Sequence, residues 1–159
     1  MLYRIRPATP EDHDFIYGLK AESVRPYVEK IWGWDETYQR ADFDADFSAI
    51  EQFHVVEADG GRAGFVQYNR HNSCLEIVEI HLLPAYRGHG IGSDLIRHLQ
   101  KECAASGTKI RIGCFKENLG AKRLYRKLGF VPAEETDTHY ILEYRGEGSG
   151  HDDESAPES

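Results

Sequence analysis

The chain has 159 residues, a formal net charge of −8, 40% hydrophobic residues and three cysteines, which suits one domain with a sizeable core. That charge argues against a nucleic-acid binder, which would carry a basic face, and no apolar run approaches the length of a membrane span. The start "MLYRIRPATPED" lacks the apolar stretch of a secretory signal, and Cys74, Cys103 and Cys114 have neither metal-like nor disulfide-framework spacing, so a reducing, cytoplasmic setting is expected.

In chain order, "YRIRPA" alternates as a first strand. Thr9 before Pro10 reads as a helix cap with proline at the first helical position, and Phe15, Ile16 and Leu19 supply the apolar face of a helix to about Ser23. Residues 25–47, "RPYVEKIWGWDETYQRADFDADF", form a second helical region interrupted at Gly33. "FHVVEADGGRAGFVQYNR" reads as two strands around an Asp-Gly-Gly turn, and "CLEIVEIHLLP" as a longer strand ending at Pro84. Beyond a glycine-rich stretch, Leu95, Ile96, Leu99 and Cys103 share one helical face to about Ser106. "TKIRIGCF" is a further strand, Asn118 caps a helix carrying Ala121, Leu124, Tyr125 and Leu128, and Gly129 ends it. "FVPAEETD" and "HYILEY" close an antiparallel pair. The order β-α-α-β-β-β-α-β-α-β-β is a mixed α/β domain over residues 1–144, and residues 145–159 form an acidic tail expected to be disordered.

The glycine stretch Tyr86–Ser93, "YRGHGIGS", needs a separate account. A nucleoside-triphosphate loop would require a lysine that is missing, and a dinucleotide fingerprint would require a third glycine at Ser93. What fits is a pyrophosphate cradle on a strand-loop-helix unit. Gly88, Gly90 and Gly92 let the backbone approach, N–H groups through Ser93 face the anion, and the helix start adds partial positive charge, with Arg87 beside it.

"R-G-H-G-I-G" after "IHLLPAY" resembles the Q/R-x-x-G-x-G/A segment of the GNAT superfamily of N-acetyltransferases, with Arg87, Gly90 and Gly92 at its defined positions. "ENLGAKRLYRKLGFV" is similar to the same family's asparagine-to-tyrosine helix, matched at Asn118, Ala121, Leu124, Tyr125, Leu128, Gly129 and Phe130. The two motifs stand in the family's order, and the resemblance covers roughly residues 3–144. It implies a mostly antiparallel central sheet of about seven strands with splayed central strands, flanked by about four helices. It also implies acetyl-CoA as cosubstrate, its pantetheine arm hydrogen-bonded near Leu82 and Leu83, its pyrophosphate on Arg87, Gly88, His89, Gly90, Ile91, Gly92 and Ser93, and Asn118 on the cofactor arm. A homodimer is common in the family.

Acyl transfer from a thioester to an amine needs a neutral nucleophile and a protonated leaving thiolate. By the resemblance Tyr125 is the general acid, a phenol with a free pKa of about 10 that holds its proton at neutral pH. The strand before Asn118, "IRIGCF", has no carboxylate, so Glu79, which shares a strand face with His81, is the candidate base; His139 is a weaker one. In "KIWGWDETYQ", Trp32, Trp34 and Tyr38 are candidates to wall an acceptor pocket, and Asp35 and Glu36 to attract an ammonium. The acceptor is read as a primary amine on a small molecule, peptide or protein. No H-x₃-H or H-E-x-x-H pattern points to a metal. The alternative is a non-catalytic acyl-CoA-binding sensor or regulatory module, which would need the loop but not Tyr125.

Overall fold

The computed structural model describes residues 1–146; from residue 147 the expected tail lies outside the described residues. Seven strands form one sheet in the order β1-β2-β3-β4-β5-β7-β6. They are β1 Arg4–Pro7, β2 Phe53–Ala58, β3 Gly61–His71, β4 Cys74–Leu82, β5 Lys109–Phe115, β6 Val131–Glu135 and β7 His139–Tyr144. The helices are α1 His13–Ile31, α2 Glu36–Phe47, α3 Ile91–Ser106 and α4 Leu119–Lys127. β1, β2 and β3 pair antiparallel in sequence, as do β5, β7 and β6, while β4 pairs parallel with β5. The β4–β5 register runs from Cys74↔Lys109 to Ile77↔Ile112 and stops there, although β4 continues to Leu82 and β5 to Phe115. This is the mixed, splayed sheet with four helices that the resemblance implies.

The chain forms two units, the first from residues 1–68 and 78–92. Around a single 3₁₀ turn, Pro10–Asp12, Asp12 Oδ2 accepts from the Thr9 N–H and the Thr9 carbonyl accepts from the Asp12 N–H, both at 2.9 Å, which satisfies backbone donors at the entrance to α1. α1 then runs past the expected end at Ser23, through Pro26, to Ile31. Proline removes a helical hydrogen bond, but Ile16, Tyr17 and Leu19 before it and Val28 after it are all buried, and this packing holds the helix continuous. Gly33, with φ +84°, turns the chain out, and Asp35 starts α2 by accepting from the Tyr38 N–H at 3.1 Å. Phe43 and Phe47 of α2 join Ile16, Leu19, Phe53, Val55 and Phe65 in one apolar cluster. Asp59 and Gly60 both take positive φ, the geometry of a tight hairpin turn.

The second unit contains residues 69–77 and the described chain from 93 on. Leu95, Ile96, Leu99 and Cys103 of α3 are buried, as are Leu75 and Ile77 of β4 and Ile110 and Ile112 of β5. Gln100 Nε2 donates to the Leu128 carbonyl at 2.8 Å, taking an orphan acceptor at the end of α4, and Gly129 at φ +99° turns the chain toward β6. Cys74, Cys103 and Cys114 are free thiols, and burial pushes each of their pKa values up.

Candidate active site

β4 delivers the chain to the glycine loop. Leu83 donates its N–H to Ala63 O of β3 at 2.8 Å, so by strand alternation Leu82 turns its main-chain groups to the opposite edge. The Leu82 carbonyl accepts from Arg87 Nε at 2.9 Å, which folds Arg87 back onto the strand end. Of the two residues expected to meet a pantetheine arm, Leu83 gives its N–H to β3 and Leu82 lends its carbonyl to Arg87.

After a 3₁₀ turn at Pro84–Tyr86, Gly88 and Gly90 take φ +78° and +83°, conformations that only glycine adopts at little cost. Ile91, 1% exposed, anchors the start of α3. Gly92 has no positive φ, and a Cβ added at Gly88, Gly90 or Gly92 would meet nothing within 4 Å. Nothing among the described residues therefore requires a side chain to be missing at Gly92. His89 is exposed, and Ser93 lies in the first helical turn, where backbone N–H groups lack intrahelical acceptors. Residues 87–93 are thus a continuous anion-ready loop and helix start that fits a pyrophosphate.

The pair Glu79–His81 lies on β4. His81 Nε2 is 2.6 Å from Glu79 Oε1, and Lys20 Nζ of α1 is 3.7 Å from Glu79 Oε2. Burial pushes the Glu79 carboxyl up, but the hydrogen bond and charge of His81 together with the Lys20 ammonium outweigh it and hold its pKa below the ordinary value. In the second unit, Asn118 Oδ1 caps α4 by accepting from the Ala121 N–H at 3.1 Å. Tyr125 is buried, its ring centroid 6.0 Å from that of Phe130.

In the α1–α2 connection several of the side chains expected to form an acceptor wall have partners within the chain. Glu36 accepts from Trp34 Nε1 at 2.9 Å, Tyr17 Oη at 3.0 Å and Arg40 Nε at 2.6 Å, so its charge is already matched within the chain. The guanidinium of Arg25 covers the Trp34 ring at 5.1 Å, and Asp35 is occupied as the α2 cap. Trp32 and Tyr38 are 63% and 62% exposed, and Asp35 and Glu36 are exposed as well. Among the described residues no three His, Cys, Asp or Glu side chains gather as a metal ion would need, and no helix is long and apolar enough to cross a membrane.

Residues 16–130 match the model of the Acetyltransferase (GNAT) family. The chain belongs to the GNAT family. It is 37% identical over 154 residues to the streptothricin acetyltransferase of Streptomyces lavendulae, across 81% of this chain and 82% of that one. It is 30% identical over 93 residues to N-alpha-acetyltransferase 40 of Saccharomyces cerevisiae, across 54% of this chain but 33% of the yeast protein, so it spans about a third of that relative's length. The crystal structure of PaiA N-acetyltransferase from Thermoplasma acidophilum in complex with coenzyme A superposes with a TM-score of 0.70 at 20% identity, covering 91% of this chain and 99% of that one. That likeness establishes the shared fold.

Three features of this GNAT chain escape sequence reading. Lys20 reaches Glu79 from a helix whose polar positions look alike in sequence. Arg25 and Arg40 cover Trp34 and Tyr17, with Arg40 4.7 Å from the Tyr17 ring. Gly64 lies where a Cβ would come within 2.3 Å of the His81 carbonyl oxygen. Gly64 alone left a signal, as a glycine inside a strand pattern, which marks close backbone approach.

Proposed function

We propose that the chain is an acetyl-CoA-dependent N-acetyltransferase acting on a primary amine. The observation that carries this reading is the loop from Arg87 to Ser93, with two left-handed glycines and a third, Gly92, whose missing side chain serves no internal contact. This loop would hold the pyrophosphate and the strand end near Leu82 and Leu83 the pantetheine arm, with Asn118 assigned to the cofactor by its resemblance to the family's motif. Bound acetyl-CoA supplies the acetyl thioester. Tyr125 gives its phenolic proton to the departing thiolate, since a phenol keeps that proton at neutral pH. The Glu79–His81 pair takes a proton from the acceptor ammonium, which leaves a lone pair able to attack.

For the acceptor, the 37% identity to a streptothricin acetyltransferase supports an amine on a small molecule, and streptothricin heads the panel to be tested. A peptide N-terminus, suggested by the yeast relative, comes second. The sensor reading draws support from Asp35 and Glu36, which are engaged within the chain.

The test is calorimetric titration of acetyl-CoA into the wild type and Gly92→Val, followed by thiol-release assays on the amine panel. Gly92 is the cleaner position than Gly90, where φ +83° would strain any side chain. Gly92→Val is expected to raise Kd at least tenfold, about 1.4 kcal/mol. Unchanged affinity in a folded variant would overturn the loop assignment, and wild-type binding without turnover of any amine would favour the sensor.

A further inference from the structure

We propose that Nδ1 of His81 accepts the proton from the acceptor ammonium, and that Glu79 is a positioning residue rather than the base. The inference rests on the acetyltransferase reading and assigns the proton-accepting atom within it.

Tautomer logic leads to this assignment. A carboxylate can only accept hydrogen bonds, so the 2.6 Å contact between Glu79 Oε1 and His81 Nε2 places the ring proton on Nε2. In the neutral imidazole Nδ1 is then bare. It has no hydrogen-bond partner among the described residues, and the side chain keeps 20% of its surface exposed. Two neighbours complete the surroundings of the pair. Lys20 of α1 is the other charged group at the pair, 3.7 Å from the second Glu79 oxygen, and from β3 the ring of Phe65 packs at 5.6 Å.

Glu79 is poorly suited to the role first assigned to it. Both of its oxygens face cationic or donor groups, and its pKa is held below the ordinary carboxylate value. A general base works best with a pKa near the operating pH.

Two other histidines show what the pair adds. His13 has both ring nitrogens on carboxylates, Asp14 at 2.8 Å and Asp44 at 2.6 Å, so neither can take a proton from a substrate. His54 has Nδ1 buried without a partner, and burial lowers its pKa. In His81 one nitrogen is oriented and the other is open.

The step balances simply. One N–H bond of the acceptor ammonium breaks, its proton goes to Nδ1, and the bonding pair stays on nitrogen as the nucleophilic lone pair. The imidazolium later returns the proton to solvent.

The test compares the pH dependence of kcat/KM for wild type, His81→Gln and Glu79→Gln with one amine, so that the acceptor's own ionisation is common to all three. Calorimetry with acetyl-CoA reports whether each variant retains its fold. Wild type should show a rising limb in the neutral range. His81→Gln should lose that limb and about 10²-fold or more in kcat/KM. Glu79→Gln should keep the limb and lose less kcat/KM than His81→Gln does.

The reverse pattern, with the limb lost in Glu79→Gln and only moved in His81→Gln, would overturn the assignment while leaving the acetyltransferase reading intact. Failure of wild type to bind acetyl-CoA would overturn that reading and this inference together. Nitrogen-15 NMR of the imidazole gives a readout independent of turnover. It should show an unprotonated Nδ1 in the neutral ring, and a protonated Nδ1 with a bare Nε2 would refute the proposal.

Discussion

Replacing Gly64 with alanine should damage the end of β4 more than an added methyl group normally would. A Cβ at this position would lie 2.3 Å from the His81 carbonyl oxygen, 2.7 Å from Leu82 Cδ2 and 3.0 Å from Leu82 Cα. A relaxed carbon-to-oxygen contact is about 3.3 Å, so the overlap with the His81 oxygen is about 1 Å. Two of the three atoms are backbone, so rotating a side chain does not relieve the clash. Overpacking of this kind costs roughly 1–3 kcal/mol. Stiffening the unfolded chain returns about 0.4–1 kcal/mol, which leaves a net loss of about 1 kcal/mol. For a chain of this size that is a fall in Tm of roughly 2–4 °C. The assay is thermal unfolding followed by circular dichroism, with Gly92→Ala beside it. At Gly92 a Cβ meets nothing within 4 Å, and alanine gains up to about 1 kcal/mol of helix propensity, so its Tm should hold or rise while acetyl-CoA affinity falls. A Gly64→Ala protein that melts within about 1 °C of wild type would refute the reasoning, since the strands would then part at no cost.

Tyr125→Phe should lower turnover by about 10²-fold or more with acetyl-CoA affinity nearly unchanged, and an unaffected rate with a good acceptor would remove Tyr125 as the acid. Asp12, its side chain 3% exposed, receives Arg6 at 2.8 and 3.0 Å, Arg62 at 3.2 Å and the Thr9 N–H at 2.9 Å. Asp12→Asn should therefore cost about 3 kcal/mol, the low end for a broken buried pair, because the Arg6 side chain is 29% exposed; urea unfolding measures it, and a loss under about 0.5 kcal/mol would show the network to be idle. The hydrogen bond to Arg6 holds the Asp12 carboxyl well below its ordinary value, so its contribution is present above pH about 3.9 and fades as pH falls through the folded value. Asp14 and Asp44 raise the pKa of His13, which sets the opposite slope. Its contribution is full below about pH 6.5 and is lost as pH rises through the raised value. The stability gap between wild type and His13→Gln should therefore shrink from acidic to alkaline pH in denaturant titrations, and a gap that widens would contradict the pairing.

Much of the fold was legible because its signals are local. The Asp59-Gly60 turn, the Asn118 cap and the Gly129 exit are each decided by what one or two residues can do with their own φ or side-chain oxygen. The order of eleven elements followed from these stops and from the apolar period between them. Where the reading failed, a distant contact overrode a local rule. The local pattern reads as a helix to about Ser23, and burial of Leu19 before Pro26 and Val28 after it carries α1 on to Ile31.

The candidate site divides along the same line. The spacing of Gly88, Gly90 and Gly92 is a property of the chain, and the structure adds positive φ at Gly88 and Gly90 and open space around all three. The charge available at Glu36 and Glu79 is not a property of the chain. In sequence both were free acids. In the fold Glu36 is taken by Arg40 and Tyr17, and Glu79 by His81 and Lys20. Two motifs carried the resemblance to the family, and local spacing determined the element order and the glycine loop, because these depend on backbone freedom and short-range periodicity. The tertiary structure alone decided which carboxylates are spent and which imidazole nitrogen stays open, because a charge is matched by whatever packing brings within about 4 Å of it.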